Sequence, residues 1–377
     1  MSGFSFTEAQ EMFRRQVRSY AQKELRPGAS ERSRKGLLPQ EIRDRVAELG
    51  YMGINVSPEY GGQPADWITL GIAIEELAKV EFAVSCLPSW PSFASALLSD
   101  NPDLLQEWIP PMVRGEKLFC LALTETDCGS DAAAIRTRAV WDGDDYILTG
   151  EKTPVSTAMY SDAVIVYAKT DPEGGAHGVS SFLVPFDLPG IERRPHKMMG
   201  WNSLGQGSVL LDGVRVPRRY RLGEEGGAFG SVMVQFDSSR VYLSLQVLGM
   251  AQASLDDTIA FAQQRTAFGK PLAKFEGVSF QIAEAATMVE AARLLCYRAL
   301  GLKDQGLPHT RESAMCKWMA PKVGVRAIHD CLLIHGHVGY SEEYDLELRL
   351  RNAIGFEIAD GMAEIMKMIV ARSIFGR

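Results

Sequence analysis

The sequence predicts an α+β protein in three parts: an N-terminal all-α domain, a middle antiparallel β-barrel or sandwich, and a C-terminal four-helix bundle. Three observations predict it. Helical periodicity fills the first third, short β-branched runs between turn signals fill the middle, and long helical segments with few breakers fill the rest. Helices, then strands, then helices is not the alternation of a doubly wound nucleotide-binding sheet. The expected domains are residues 1–117, 118–228 and 229–377.

In the first part, Ser5-Phe6-Thr7-Glu8 fits a capping box. Phe6, Phe13, Val17, Tyr20 and Ala21 then keep helical spacing until Pro27 ends the element. Residues 41–49 and 68–80 repeat the pattern, with a glycine turn at Pro58-Glu59-Tyr60-Gly61-Gly62 between them. In the second part, strands are expected at residues 118–123, 146–148, 163–167, 181–185 and 208–211. Turn sequences such as Asp142-Gly143-Asp144 and Pro172-Glu173-Gly174-Gly175 separate them. In the third part, residues 241–264 and 277–302 carry apolar side chains at i, i+3, i+4 and i+7, the pattern of bundle helices. The glycines of residues 223–230 lack a preceding strand and dinucleotide-fingerprint spacing, so they read as a turn between domains.

Composition narrows the function. The 377 residues suffice for several hydrophobic cores. A net charge of −7 argues against nucleic acid or an anionic membrane as partner. The basic stretches 193–197 and 215–221 read as solvated faces. No run approaches the roughly 18 apolar residues of a membrane span. Residues 1–5 begin a polar helix rather than a leader, and Cys86, Cys120, Cys128, Cys296, Cys316 and Cys331 form no C-x-x-C pair; both suit a reducing cytoplasm. His329, His335 and His337 lie close together without metal-ligand spacing, no hydrolase or P-loop motif is present, and no metal is expected.

The densest chemistry lies in Leu123-Thr124-Glu125-Thr126-Asp127-Cys128-Gly129-Ser130-Asp131, directly after an apolar run. A strand ending in such a turn presents backbone N–H groups and hydroxyls to a bound group. The segment reads TE-x-x-x-GSD and resembles the flavin-contacting signature of the acyl-CoA dehydrogenase family. Further motifs follow in family order. Tyr60-Gly61-Gly62 resembles its N-terminal glycine turn, and Gly150-Glu151-Lys152 the G-x-K opening its second flavin strand. Arg265-Thr266-Ala267-Phe268-Gly269-Lys270 is similar to its R-x-x-FGK. His335-Gly336-His337-Val338-Gly339-Tyr340, with Glu343-Tyr344, is similar to HGGxGYxxEYP. Asp360-Gly361-Met362-Ala363-Glu364-Ile365-Met366 falls on its catalytic E-G-T-S-x-I-x. The resemblance covers essentially the whole chain.

The resemblance implies FAD as electron sink, with N5 accepting a β-hydride while a base removes the α-proton of an acyl thioester. The acyl group is carried on coenzyme A or an acyl carrier protein. Leu121, Leu123 and Thr124 are expected to face the isoalloxazine, and Gly129 to allow close approach. Ser130 is expected on the flavin or the pantetheine arm, and Val155 and Ser156 along the ring's other edge. Arg265, with Phe268, is expected on the diphosphate, as a fork-shaped cation suited to phosphate oxygens. Gly336, Met362 and Glu364 complete the cofactor set, and Asp237, Arg240 and Gly361 join Ser130 on the substrate. Family structures place the arginine and the HGG segment on opposite subunits, which implies a homotetramer built from dimers; the implied electron acceptor is an electron-transfer flavoprotein.

Several positions depart from the family pattern. Pro154 replaces a flavin-shielding tryptophan and Ser156 a threonine. Glu276 and Leu333 replace glutamines, His337 a glycine and Met362 a threonine. The sharpest departure is Asp360 in place of the catalytic glutamate. Burial in an apolar slot makes a carboxylate a better base, but an aspartate has about an ångström less reach. Asp360-Gly361 before a helical run also fits an N-cap. In some members the base comes from the helix after the β domain; that position falls on Ser239, which cannot serve. Asp237 and Arg240, one turn apart, pair with each other, line the thioester pocket, or form a surface or interdomain ion pair. Two rival functions are a flavin oxidase of the nitroalkane-oxidising type, which also carries an aspartate here, and a non-catalytic subunit of a heteromeric acyl-CoA dehydrogenase. Trp90, in Ser89-Trp90-Pro91, points to a short or unusual acyl group or to core packing.

Overall fold

The first helix begins where side chains can satisfy its free N–H groups. The Thr7 hydroxyl accepts from Gln10 N at 3.2 Å, and the Gln10 side chain accepts from Thr7 N at 3.0 Å, opening α1 (Glu8–Tyr20). The capping box is therefore Thr7 with Gln10, not Ser5 with Glu8, because the helix starts two residues later than the motif suggested. The computed structural model of the chain describes residues 5–36 and 38–376; the polar helix expected to begin in residues 1–5 falls, for residues 1–4, outside the described residues. A π-helical turn, Ala21–Leu25, extends α1 toward Pro27.

The helices α2 (Ala29–Lys35), α3 (Gln40–Glu48), α4 (Trp67–Ala78), α5 (Phe82–Cys86), α6 (Ser89–Leu97) and α7 (Pro102–Val113) complete this part. Residues from Leu70 to Ala78 of α4 are all buried, which makes it the central helix. In the glycine turn Gly61 has φ +85°, and a Cβ on Gly62 would meet the Val56 carbonyl oxygen at 2.3 Å.

The strands are β1 (Phe119–Ala122), β2 (Arg138–Asp142), β3 (Asp145–Val155), β4 (Ala163–Lys169), β5 (Val179–Pro185), β6 (Ile191–Pro195), β7 (Gly207–Pro217) and β8 (Arg221–Leu222). They form one sheet in the order β6-β7-β3-β2-β4-β5-β8, with β1 beside β4. Most neighbours are antiparallel, as expected, but β1 and β2 each run parallel to β4. Long connections separate those strands, and only such connections allow parallel pairing. The expected set lacked β2, β6 and β8, which are exposed or very short. The two-residue β8 does precede Gly223, contrary to the reading of that segment, yet residues 223–227 still form the turn into the next helix.

That helix is α8 (Ala228–Gln264). A small hairpin, β9 (Thr266–Ala267) and β10 (Lys270–Pro271), follows, and then α9 (Glu276–Asp304), α10 (Thr310–His335), α11 (His337–Tyr340), α12 (Leu346–Ile358) and α13 (Ala363–Phe375). The long α10 packs against α8, α9, α12 and α13 and forms the bundle's axis. Within it, Cys296 and Cys316 are buried free thiols.

One side chain joins the sheet to the bundle. Trp201 packs against Phe82 (5.4 Å between ring centroids) and Phe356 (5.0 Å). Its indole N–H donates to the Asn352 carbonyl at 2.7 Å, and its backbone N–H to the Asn352 side chain at 2.8 Å. Trp201→Phe keeps most of the packing but removes the indole hydrogen bond to the Asn352 carbonyl, which retains its partner within α12. The expected cost is about 0.5–1.5 kcal/mol, read by denaturant unfolding; a variant as stable as wild type would show that the indole bond contributes nothing.

Candidate functional site

The loop after β1 is fixed by a buried ion pair. The Glu125 carboxylate accepts from Lys152 Nζ (2.8 Å), Thr137 N (3.0 Å), Thr137 Oγ1 (2.6 Å) and Arg136 N (2.6 Å). Lys152 Nζ also donates to the Leu123 carbonyl at 2.9 Å, and Thr153 N to the Thr124 carbonyl at 2.9 Å. The loop is thereby tied to β3. Burial pushes the Lys152 ammonium down to about 8. For Glu125, burial acts upward, but Lys152 and the surrounding donors outweigh it and hold the carboxyl below its ordinary value. The difference arises because Lys152 is fully sealed while Glu125 keeps 10% of its side chain exposed and gathers several donors.

Past this anchor the loop turns outward. The N–H groups of Thr126, Asp127, Gly129 and Ser130 find no partner among the described residues, and a Cβ on Gly129 would stand in open space. Cys128 instead packs inward, its thiol donating to the Asp131 carbonyl at 2.9 Å. Leu123 and Val155 are buried, and Leu121, Thr124 and Ser156 are half-buried beside them. Ser156 Oγ accepts from Gln206 Nε2 at 3.2 Å, while Gln206 Oε1 is buried without a partner. Sequence reasoning missed Gln206, which no motif marks.

Asp360 lies in the turn between α12 and α13 with φ +52°, a left-handed conformation that aspartate adopts more readily than most residues. It does not cap the helix. Met362 is the N-cap residue and makes no side-chain cap, because positive φ at both Asp360 and Gly361 delays helical geometry to Ala363. Ser239 Oγ, on α8, donates to Asp360 Oδ2 at 3.0 Å. Asp237 and Arg240 form a buried ion pair at 3.0 Å rather than a surface one. Thr310 Oγ1 donates to the second Asp237 oxygen at 2.5 Å, and Arg240 Nε makes a long 3.5 Å contact to the Asp360 carbonyl. Trp201 links this turn to the sheet: it packs on Phe356, one helical turn before Asp360, and its loop accepts from Thr157 N through the Leu204 carbonyl at 2.9 Å. Met362 and Glu364 are exposed at the start of α13. Trp90 is half-buried and packs edge-on to Phe93.

The remaining residues gather elsewhere. Arg265 follows the end of α8, Phe268 stands 97% exposed in the β9–β10 turn, and Gly336 is exposed at the end of α10. His335 stacks on Phe261 at 4.2 Å, which brings Gly336 to the Arg265 end of α8. Ser239 and Arg265 are roughly 40 Å apart along that helix, at about 1.5 Å per residue. A cleft of about 590 Å³ between α1, α4, α8 and α9 holds none of these residues. Its charges are spent on one another, as in Arg18–Glu76 and Arg293–Glu75.

His335 also sets a pH response. Burial pushes its imidazole below the ordinary value; Nδ1 faces the Cys331 carbonyl at 2.9 Å, and Nε2 is buried without a partner. On acidification the unfolded chain protonates this residue first, at about pH 6.5. The unfolded state then holds more protons, so stability falls as pH drops through the window below that value. The melting temperature is expected to decline more steeply between pH 7 and 5 in wild type than in His335→Gln; parallel profiles would contradict this.

Three family models match in chain order: acyl-CoA dehydrogenase N-terminal domain over residues 7–116, middle domain over 120–214 and C-terminal domain over 226–375. The chain belongs to the acyl-CoA dehydrogenase family. It is 35% identical over 372 residues to the caffeyl-CoA reductase-Etf complex subunit CarC of Acetobacterium woodii, covering 97% of this chain and 98% of that one. Among solved structures it is similar to butyryl-CoA dehydrogenase from Megasphaera elsdenii, at 32% identity and TM-score 0.94 over 99% of this chain and 100% of that one. It is also similar to PigA with FAD and proline, at 26% identity and TM-score 0.94 over 99% of both chains.

This acyl-CoA dehydrogenase is an oxidoreductase, and its cofactor is FAD. The residues present fit that group: half-buried Leu121 offers apolar surface, and the Thr124 and Ser156 hydroxyls and the unpartnered loop N–H groups offer polar partners to a heteroatom-edged ring. Among the described residues no helix is long and apolar enough to cross a membrane, and no group of three side chains is placed to hold a metal.

Proposed function

We propose that this acyl-CoA dehydrogenase removes hydrogen from the α and β carbons of an acyl thioester, carried on coenzyme A or an acyl carrier protein, with Asp360 as the α-proton base. FAD, when bound, supplies an acceptor for the β-hydride at N5. Asp360 takes the α-proton as H⁺, and the electrons of that C–H bond form the new double bond. Ser239 holds one Asp360 oxygen and leaves the other open for the proton. Leu121, Leu123, Thr124, Gly129, Val155 and Ser156 would hold the ring. Ser130, Gly361 and the Asp237–Arg240 pair would border the thioester, the pair presenting a buried polar wall that excludes mobile water.

One observation carries this reading. The two positions from which the family draws its base are 121 residues apart in sequence, and here Asp360 and Ser239 face each other at 3.0 Å. Only one of them carries a carboxylate. Bleaching of the bound flavin by a panel of acyl-CoA and acyl carrier protein thioesters tests the reaction, and a yellow protein that no member of the panel bleaches would refute it.

The cofactor site also favours assembly. Arg265, Phe268 and Gly336 gather at the far end of α8 from Asp360, so the arginine and the HGG segment lie together in one chain rather than being divided between subunits as expected, and together they would serve the FAD of another copy. Leu333 and Tyr340, 59% and 78% exposed at that same end, suit such an interface. A homotetramer of paired dimers accommodates this. Electron-transfer flavoprotein is the proposed electron acceptor, in keeping with the Etf complex of the Acetobacterium woodii relative. A cytoplasmic location suits the six free thiols.

A further inference from the structure

Lys317 lies directly beneath the turn that carries Asp360, and the chemistry above makes no use of it. It projects from α10 and is 1% exposed. Its Nζ donates to the Phe356 carbonyl at 2.6 Å and to the Gly361 carbonyl at 3.1 Å. The first is among the last carbonyls of α12, which have no partner within their own helix; the second lies just before α13. One ammonium thus bridges two helices across Asp360. Arg240 approaches the neighbouring Asp360 carbonyl from α8.

This is an expensive arrangement for packing alone. A sealed ammonium costs several kcal/mol unless charge and hydrogen bonds offset it. Lys317 forms no ion pair among the described residues, and its hydrogen bonds go to carbonyls. The charged groups it feels are Asp360 in the turn and Glu357 on α12, which favour its charge, and Arg240 on α8, which opposes it. Its charge is directed at the ends of the Asp360 turn and at little else.

We propose that Lys317 is the positioning residue of the catalytic turn: it pins the backbone on both sides of Asp360 and so fixes where the carboxylate stands. An aspartate depends on this more than a longer acid does, because it has about an ångström less reach with which to correct a misplaced backbone. Burial pushes the Lys317 ammonium down to about 8, so the clamp loses its charge a little above neutrality. The proposal rests on Asp360 being the base.

The test isolates proton abstraction from hydride transfer. A 3-thia-acyl-CoA has sulfur at the β position and therefore no hydride to give, but its α-hydrogens still exchange with D₂O if the base works. Wild type is expected to exchange them and Asp360→Asn to lose the exchange. Lys317→Met is expected to slow it by about 10–100-fold, the scale of an ångström misplacement, with thioester KM and flavin spectrum close to wild type. Lys317→Arg should restore the rate and move the alkaline limb of the pH profile upward, since a guanidinium does not titrate there. Exchange by Lys317→Met within threefold of wild type overturns the role of Lys317 alone. If that variant does not fold, an alkaline limb unmoved in Lys317→Arg does the same. Wild-type-like exchange in Asp360→Asn, or none in wild type, removes the base assignment and this inference with it.

Discussion

Asp360→Asn is expected to slow reduction of the bound flavin by an acyl-CoA by about 10²–10⁴-fold, the range that a positioned general base contributes. Asparagine is the informative replacement. It tolerates the left-handed backbone at φ +52° and can still accept from Ser239 Oγ, so geometry is retained while basicity is lost. Alanine would add backbone strain to the loss of the base. The flavin spectrum and thioester KM should stay near wild type, because Asp360 touches neither the Lys152–Glu125 anchor nor the loop N–H groups. Stopped-flow bleaching at a fixed acyl-CoA concentration reads the effect. A rate within tenfold of wild type would place the base elsewhere.

Lys152→Met destabilises the protein by about 3–5 kcal/mol, because it leaves the Glu125 carboxylate desolvated without its cation. The loss also releases the Leu123 carbonyl, which loosens the strand end at the proposed flavin site. Weaker FAD retention on gel filtration should therefore accompany a lower melting temperature. Glu125→Gln alone strands the Lys152 ammonium and should cost a similar amount. Removing both partners leaves neither charge unpaired, so Lys152→Met with Glu125→Gln should cost clearly less than the two changes added together. Additive costs would show that the two residues act independently.

Part of the candidate site was legible in the sequence because its features are local. The Thr124–Ser130 loop is a turn whose hydroxyls and glycine announce exposed backbone; Glu125 and Cys128 pair with each other, and the N–H groups of Thr126, Asp127, Gly129 and Ser130 have no partner among the described residues. The alternation of apolar residues marked the long helices, since a 3.6-residue period survives without knowledge of the partner. Short or exposed elements were harder. β2 and β6 bury little, and without a buried face they carry no periodic signal. The Asp-Gly at 360–361 looked like a helix cap because propensity describes residue types and not φ; the turn held by Lys317 and Arg240 overrides it.

The sequence by itself determined the order of the three structural parts, the family, and the residue types available for chemistry. Those follow from periodicity, turn residues and motif spacing, all of which act over a few neighbouring positions. Tertiary structure decided which of these residues meet. It set Ser239 against Asp360, buried the Asp237–Arg240 pair, and sent Lys152 to Glu125 and Lys317 to the Asp360 turn. It also moved Arg265, Phe268 and Gly336 to the opposite end of α8. The physical reason is that a long rigid helix separates what lies along it and side-chain packing joins what lies far apart in sequence, and neither distance is written in local spacing.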